Sequence, residues 1–206
     1  MQTTDIIFYI AILVMSVVIH EISHGFMAEY FGDKTARNMG RLTLNPLKHL
    51  DLFGSVILPL MLAIVPPHIV FGWAKPVPYN PNNLRNRKKG EIAVAAAGIL
   101  ANIAIAIVFG IILRFSVGFG VSQNFYFIIS SIVLVNLALA VFNLIPIPPL
   151  DGSKILFNIL PKSFNPLFEI LERYSILFLL VFILFLSNYL YPVLAFVFHL
   201  ITGLPL

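Results

Sequence analysis

Residues 5–30, DIIFYIAILVMSVVIHEISHGFMAEY, begin as an apolar run and end among two histidines and two glutamates. A bilayer core is crossed by about 20 apolar residues in a helix, so this stretch is long enough to span one. Ionisable groups inside such a segment are costly and by default mark function. His20, Glu21 and His24 therefore pose the questions of fold and of chemistry together.

The composition agrees with a membrane protein. Of 206 residues, 59% are hydrophobic and only 11% charged, whereas soluble domains sit near half apolar and a quarter charged. No stretch combines a basic start, a short apolar core and a small-residue cleavage site, so the first apolar run reads as a retained span. The absence of cysteine excludes disulfides and thiolate ligands and is silent on redox compartment. The formal charge of +4 is scattered between apolar blocks, with RNRKK (85–89) the only dense run. That pattern suits loops orienting a membrane protein. It is too sparse for a nucleic-acid footprint.

Three further apolar blocks follow, at 91–114, at 125–147 and from Tyr174 to the C-terminus. The last is too long for one untilted span. Asn188 and Pro192 are expected to divide it, giving an all-α polytopic membrane protein of five to six transmembrane helices. Residues 1–206 read as a single integral membrane domain, without internal repeats. Residues 52–66, LFGSVILPLMLAIVP, are short and carry Pro59, and 67–83 hold too many prolines for a helix. Basic residues follow the first span (Lys34, Arg37, Arg41, Lys48), precede the second long one (Arg85, Arg87, Lys88, Lys89) and follow the third (Lys154, Lys162, Arg173). Positive loops face the cytoplasm. All three do so only if 52–79 form a re-entrant helix and extended return. Such backbone at membrane depth needs protein or a watery cavity around it. The competing reading is an ordinary span that breaks the charge rule.

His20-Glu21-Ile22-Ser23-His24 is H-E-x-x-H. Residues four apart share a helix face, so both imidazoles can address one metal ion while Glu21, beside them, takes a proton from water. This is the spacing of a zinc hydrolase, in which the metal polarises a carbonyl and acidifies its water. The bland alternative is a pair of satisfied helix-end histidines with a snorkelling glutamate. Catalytic zinc usually takes three protein ligands, and Gly25 and Tyr30 do not continue the extended H-E-x-x-H-x-x-G-x-x-H form. Asp5, Glu29, Asp33, His49, Asp51, His68, Glu91, Asp151, Glu169, Glu172 and His199 remain as candidates. Asp151 is favoured, because the first and third long spans both descend and bring it to the depth of His20 and His24. Otherwise it is a turn or cap aspartate. Pro146, Pro148 and Pro149 before it stop the helix, and Gly152 is expected to permit a tight turn. His49 and Asp51 form the rival pair. His68 and His199 read as interfacial, and Glu91 as a helix start.

Together the residues resemble the site-2 protease family of intramembrane zinc metalloproteases. H-E-x-x-H lies in a first span, and Asn143-Leu-Ile-Pro146-Ile-Pro148-Pro-Leu150-Asp151-Gly152 follows a later one. FGWAKPVPYNP (71–81) and AAAGILAN (95–102) resemble a compact form without a PDZ or CBS domain. The sequence departs from that family at Ile99, where proline often follows the glycine, while Asn102 is kept. The resemblance implies one zinc per chain on His20, His24 and Asp151, with Glu21 as base. It also implies that Asn143 steadies substrate backbone or the oxyanion; otherwise Asn143 is a capping or interhelical residue. The expected partners are the lipid bilayer and a transmembrane protein substrate whose helix unwinds to be cut, pairing with 71–79 by strand addition. No nucleic acid is expected, and nothing sets an oligomeric state. The expected location is a bacterial cell membrane, with the site toward the cytoplasm. Three other readings stand beside this one: a metal transporter, a non-catalytic membrane binding protein, and a prenyl-protein endopeptidase drawing its third ligand from Glu169 or Glu172.

Overall fold

The computed structural model describes residues 3–57, 61, 64, 72–116 and 118–206, and among them no β-sheet forms; 72–79 are a lone extended strand outside any sheet. Helix α1 spans Thr3–Tyr30 and is followed by the short α2, Thr35–Asn38. The long helices α3 (Arg87–Ser116) and α4 (Gln123–Asn143) form a hairpin. Then come α5 (Asp151–Ile159), α6 (Asn165–Arg173), α7 (Ser175–Val181) and α8 (Leu190–Thr202). Among the described residues, four helical stretches are long and apolar enough to cross a membrane: Asp5–Tyr30, Arg87–Ser116, Gln123–Asn143 and Ser175–Thr202. The chain is an all-α polytopic membrane protein.

The regular α-helix is interrupted at Asn188, as expected, but the helical run does not end there. A π-helical turn, Phe182–Leu186, and a 3-10 turn, Ser187–Tyr189, carry the helix from α7 into α8. Pro192 falls in the first turn of α8, where an N–H has no partner within the helix in any case, so the ring costs no hydrogen bond. Ser187 Oγ donates back to Ile183 O at 2.6 Å, tying the 3-10 turn to the π-helical one. Ser175–Thr202 is thus one span-length run with α8 as its shorter second segment, and the expected count of five to six spans is not confirmed by the four found among the described residues.

Helix α3 is the central element and packs against α1, α4, α5 and α8. Its buried face is rich in small residues, including Ala95, Ala97, Gly98, Ala106 and Gly110. In lipid, small residues let helices approach closely enough for dispersion contacts to hold them. A Cβ on Gly110 would collide with Ile201 of α8. One core cluster joins Ala106 and Leu113 of α3, Ile129, Val133 and Leu137 of α4, and Phe198 of α8.

Helices α1 and α3 run antiparallel: Ser16 lies beside Asn102 and His24 beside Val94. The connection between them therefore begins and ends on one side. Arg85 N donates to Phe31 O at 2.9 Å where the two ends meet. The first arm holds the π-helical turn Leu52–Ile57. The second arm, 72–79, is non-helical and returns against the first, with Trp73 N donating to Gly54 O at 3.0 Å and Ser55 Oγ to Trp73 O at 2.8 Å. Residues 58–71 apart from 61 and 64, Pro59 and His68 among them, lie outside the described residues.

Candidate active site

His20 and His24 occupy one face of α1, as their spacing requires, with ring centroids 4.6 Å apart. Asp151 arrives from the other end of the chain. Its Oδ2 lies 3.1 Å from Nε2 of each histidine. Three local features deliver it there. The prolines after Asn143 end α4, α5 starts at Asp151 itself, and Gly152 lets the start of α5 press onto the end of α4. A Cβ on Gly152 would collide with the Leu144 carbonyl. Gly152 is not among the glycines with positive φ, so it serves close approach and not the tight turn expected of it. Gly98 does the same for the histidines: a Cβ there would sit 2.6 Å from His24 Cε1 and 2.7 Å from His20 Nε2.

The outer ring nitrogens are also held. His24 Nδ1 lies 2.7 Å from Val94 O and His20 Nδ1 2.6 Å from Asn102 Oδ1. A carbonyl oxygen only accepts, so each Nδ1 carries the proton. Each neutral imidazole then turns its Nε2 lone pair toward Asp151. Two lone pairs and a carboxylate oxygen thus converge, and a shared cation relieves their repulsion.

Glu21 sits beside this cluster, and its ligand atom lies within 4.8 Å of those of His20 and His24. Its Oε2 accepts from Val77 N at 2.8 Å. Val77 stands between Pro76 and Pro78 and is the one residue of the three with an N–H to give. The donors of Trp73, Lys75 and Val77 all turn toward α1 and the chain that follows it, the alternation of an extended strand. The buried Arg41 holds this strand from behind, with Nη2 on Lys75 O at 2.9 Å and Pro76 O at 3.3 Å. Asp33 fastens its far end through Asn80 N at 2.7 Å and Asn83 Nδ2 at 2.9 Å.

A cavity of about 130 Å³ opens onto the cluster, walled by Glu21, Val77, Tyr79, Asn143 and Lys154 among others. Asn143 is on its wall, with its amide bonded back to Leu139 O at 2.9 Å. Sequence reasoning did not single out Val77, Tyr79 or Lys154. Burial lifts the Tyr79 phenol above its ordinary range, which keeps the O–H protonated. Lys154 Nζ lies 3.4 Å from Asp151 Oδ1, the oxygen turned away from the histidines.

The rival residues are elsewhere. His49 is buried and binds Thr43 O through Nε2 at 2.9 Å, while its own carbonyl accepts from Lys75 N at 2.8 Å. It braces the strand and does not wall the cavity. Asp51 caps the turn at Gly54 N, 2.6 Å away. Glu91 pairs with Arg87 and with Asn158 of α5. Glu29 pairs with Arg37. Glu169 and Glu172 are exposed on α6, which removes the ligand that the prenyl-protein endopeptidase reading requires. His199 is exposed at the end of α8, near Leu204 O. His68 lies outside the described residues.

The model of peptidase family M50 matches residues 8–133 and 120–186. The chain belongs to peptidase family M50. It is 36% identical over 194 residues to YwhC of Bacillus subtilis, named as a candidate zinc metalloprotease; the match covers 88% of this chain and 83% of that one. It is 30% identical to the zinc metalloprotease MJ0392 of Methanocaldococcus jannaschii, over 75% of this chain and 34% of that protein. Rip2 of Mycolicibacterium smegmatis, another candidate zinc metalloprotease, is 30% identical over 78% of this chain and 58% of its own. The chain thus spans most of YwhC but about a third and somewhat over half of the other two. No solved structure matches it. As an M50 peptidase the chain is an integral membrane zinc metalloprotease.

The donor set fits zinc. Tetrahedral zinc with bonds of about 2.0–2.1 Å places its ligands roughly 3.3–3.5 Å apart, close to the 3.1 Å between Asp151 Oδ2 and each Nε2. The histidine hydrogen bonds to a carbonyl and an amide oxygen are the outer supports that zinc imidazoles ordinarily have.

Proposed function

We propose that this M50 peptidase cuts membrane-spanning segments of other proteins, with residues 1–206 acting as one domain. His20, His24 and Asp151 hold the zinc, one per chain, and Glu21 acts as the base. The observation that carries this reading is the meeting of Asp151 with both histidines in the C-terminal half of α1, beside a cavity that Glu21 lines. Zinc in that position supplies a Lewis acid for a peptide carbonyl and acidifies water.

The protein's own groups do the rest. The Val77 N–H fixes one oxygen of Glu21 and leaves the other to take a proton from the attacking water. Glu21 then passes that proton to the leaving amine, as base and then acid. Asn143 on the cavity wall serves the substrate backbone or the developing oxyanion, and the amide proton not committed to Leu139 is the one to donate. A helix hides its peptide bonds, so the substrate unwinds locally, and the strand at 72–79 offers an edge for it to pair with. The loops that carry the basic residues stand at the same end as the site, which favours a cytoplasmic active site.

The test is Glu21→Gln beside Asp151→Ala in detergent-purified protein, read by zinc content and by cleavage of a helical membrane substrate. Glu21→Gln is expected to keep about one zinc and to lose cleavage by at least about a hundredfold. Asp151→Ala is expected to lose both. Zinc retained in full by Asp151→Ala would sink the ligand assignment. Zinc flux by Glu21→Gln in vesicles, without proteolysis by the wild type, would favour the transporter.

A further inference from the structure

Resting on the ligand assignment above, we infer that Asn102 and Asn136 are positioning residues that set the tautomer of His20 and so aim its Nε2 at the metal. The inference stands on the direction of each hydrogen bond in a buried network that joins α1, α3 and α4.

Both asparagines are fully buried, and Ser16 beside them is nearly so. Asn136 Nδ2 donates to Ile132 O at 2.8 Å and to Ser16 Oγ at 2.9 Å. The Ile132 carbonyl can only accept, so the amide of Asn136 cannot be turned over. Its Oδ1 is thereby directed at Asn102 Nδ2, 2.8 Å away. Asn102 Nδ2 also faces the Ser16 carbonyl at 3.4 Å. Turning Asn102 over would set its oxygen against two acceptors. Asn102 Oδ1 must therefore face His20 Nδ1, at 2.6 Å, and His20 must carry its proton there. The lone pair is left on Nε2, which points at Asp151.

Two backbone carbonyls, those of Ile132 and Ser16, anchor the chain of directions. Water is excluded, so nothing else can restore a lost partner. His24 needs no such relay, because its Nδ1 rests directly on the Val94 carbonyl. The two ligands are thus oriented by different means, and His20 alone depends on side chains.

A role confined to interhelical packing predicts that any substitution of Asn102 acts on folding. The positioning role predicts that an acceptor at this position is what matters. The experiment measures zinc affinity by chelator competition in detergent, with folding followed by circular dichroism, for wild type, His20→Ala, Asn102→Leu, Asn102→Asp and Asn136→Leu. Asn102→Leu is expected to weaken zinc binding about 10- to 100-fold. Asn102→Asp, protonated on the oxygen that faces Asn136 Oδ1, keeps both an acceptor for His20 and a donor for Asn136 and is expected to stay within a few-fold of wild type. Asn136→Leu frees Asn102 to turn over and is expected to weaken binding as well. A folded Asn102→Leu with wild-type affinity overturns the inference, as does an Asn102→Asp as weak as Asn102→Leu. If Asn102→Leu does not fold, the other pair decides: retention in Asn102→Asp with loss in Asn136→Leu supports it, and the reverse order overturns it. His20→Ala with wild-type affinity would overturn the ligand assignment and this inference with it. A loss in His20→Ala alone would overturn only the inference.

Discussion

Gly98 leaves no room for a side chain behind the two histidines. A methyl group there would stand 2.6 Å from the His24 ring and 2.7 Å from that of His20, distances that no unstrained Cβ occupies. Both rings are pinned from behind, by Val94 O and Asn102, so they cannot yield without leaving Asp151. Gly98→Ala is therefore expected to lower zinc affinity by tenfold or more, about 1.4 kcal/mol, while the helices still assemble. Wild-type affinity in Gly98→Ala would mean that the rings have slack. His49→Ala provides the contrast. His49 binds Thr43 and Lys75 through its ring and carbonyl, and its loss is expected to leave zinc content at the wild-type level, as measured by metal analysis. The pair His20 and His24 was legible from four-residue spacing alone. Gly98, Val77 and Lys154 were not, because their partners lie far away in the sequence.

Among the elements, the strand at 72–79 is the one whose placement bears most directly on Glu21. It is tied at Trp73, Lys75, Pro76, Val77 and Asn80. Arg41 supplies the middle tie from a buried position, with backbone carbonyls as its hydrogen-bond acceptors among the described residues. Arg41→Met keeps the apolar stem and removes those bonds. Cleavage is expected to fall by about ten- to a hundredfold through misplacement of Glu21, with zinc content unchanged, in a parallel assay of activity and metal. Unchanged cleavage would show that Val77 holds its place without Arg41. Asp33 works at the other end of the same strand. Burial raises its pKa, but bonds from Thr35, Asn80 and Asn83 outweigh this and lower it overall. A lowered folded pKa stabilises the fold above the unfolded value of about 3.9 and loses that contribution as pH falls through the folded one. Asp33→Asn is thus expected to flatten the acid limb of the stability profile in thermal melts. A limb as steep as that of the wild type would place its cause in another carboxylate.

For the whole molecule, antiparallel packing of α1 on α3 and of α3 on α4 puts the loops that carry the basic residues at one end. The chain has no cysteine, which makes side-specific labelling direct. Lys48→Cys, Lys89→Cys and Lys162→Cys, all at exposed positions, are expected to react with an impermeant thiol reagent from the same face of sealed vesicles. Gln123→Cys, at the exposed start of α4, is expected to react from the other face. Lys48→Cys and Lys89→Cys on opposite faces would overturn the re-entrant arrangement.

By itself the sequence determined a helical membrane protein, because the length and hydropathy of a span are local properties set by the bilayer. It determined His20, Glu21 and His24 as a unit, because helical periodicity places them together wherever the helix goes. It ranked Asp151 first by depth, since parallel descent of two spans is legible from charge. It did not determine the number of spans. Whether Asn188 and Pro192 break a helix depends on whether a π turn and a 3-10 turn can take up the strain, as they do here. Only the tertiary structure decided that 72–79 lie against Leu52–Ile57, that Gly152 serves close packing, and that Glu21 is held by extended backbone between two prolines. Each of these is a contact between segments distant in the chain, fixed by how closely small residues let the helices approach and by where buried hydrogen-bond donors find acceptors.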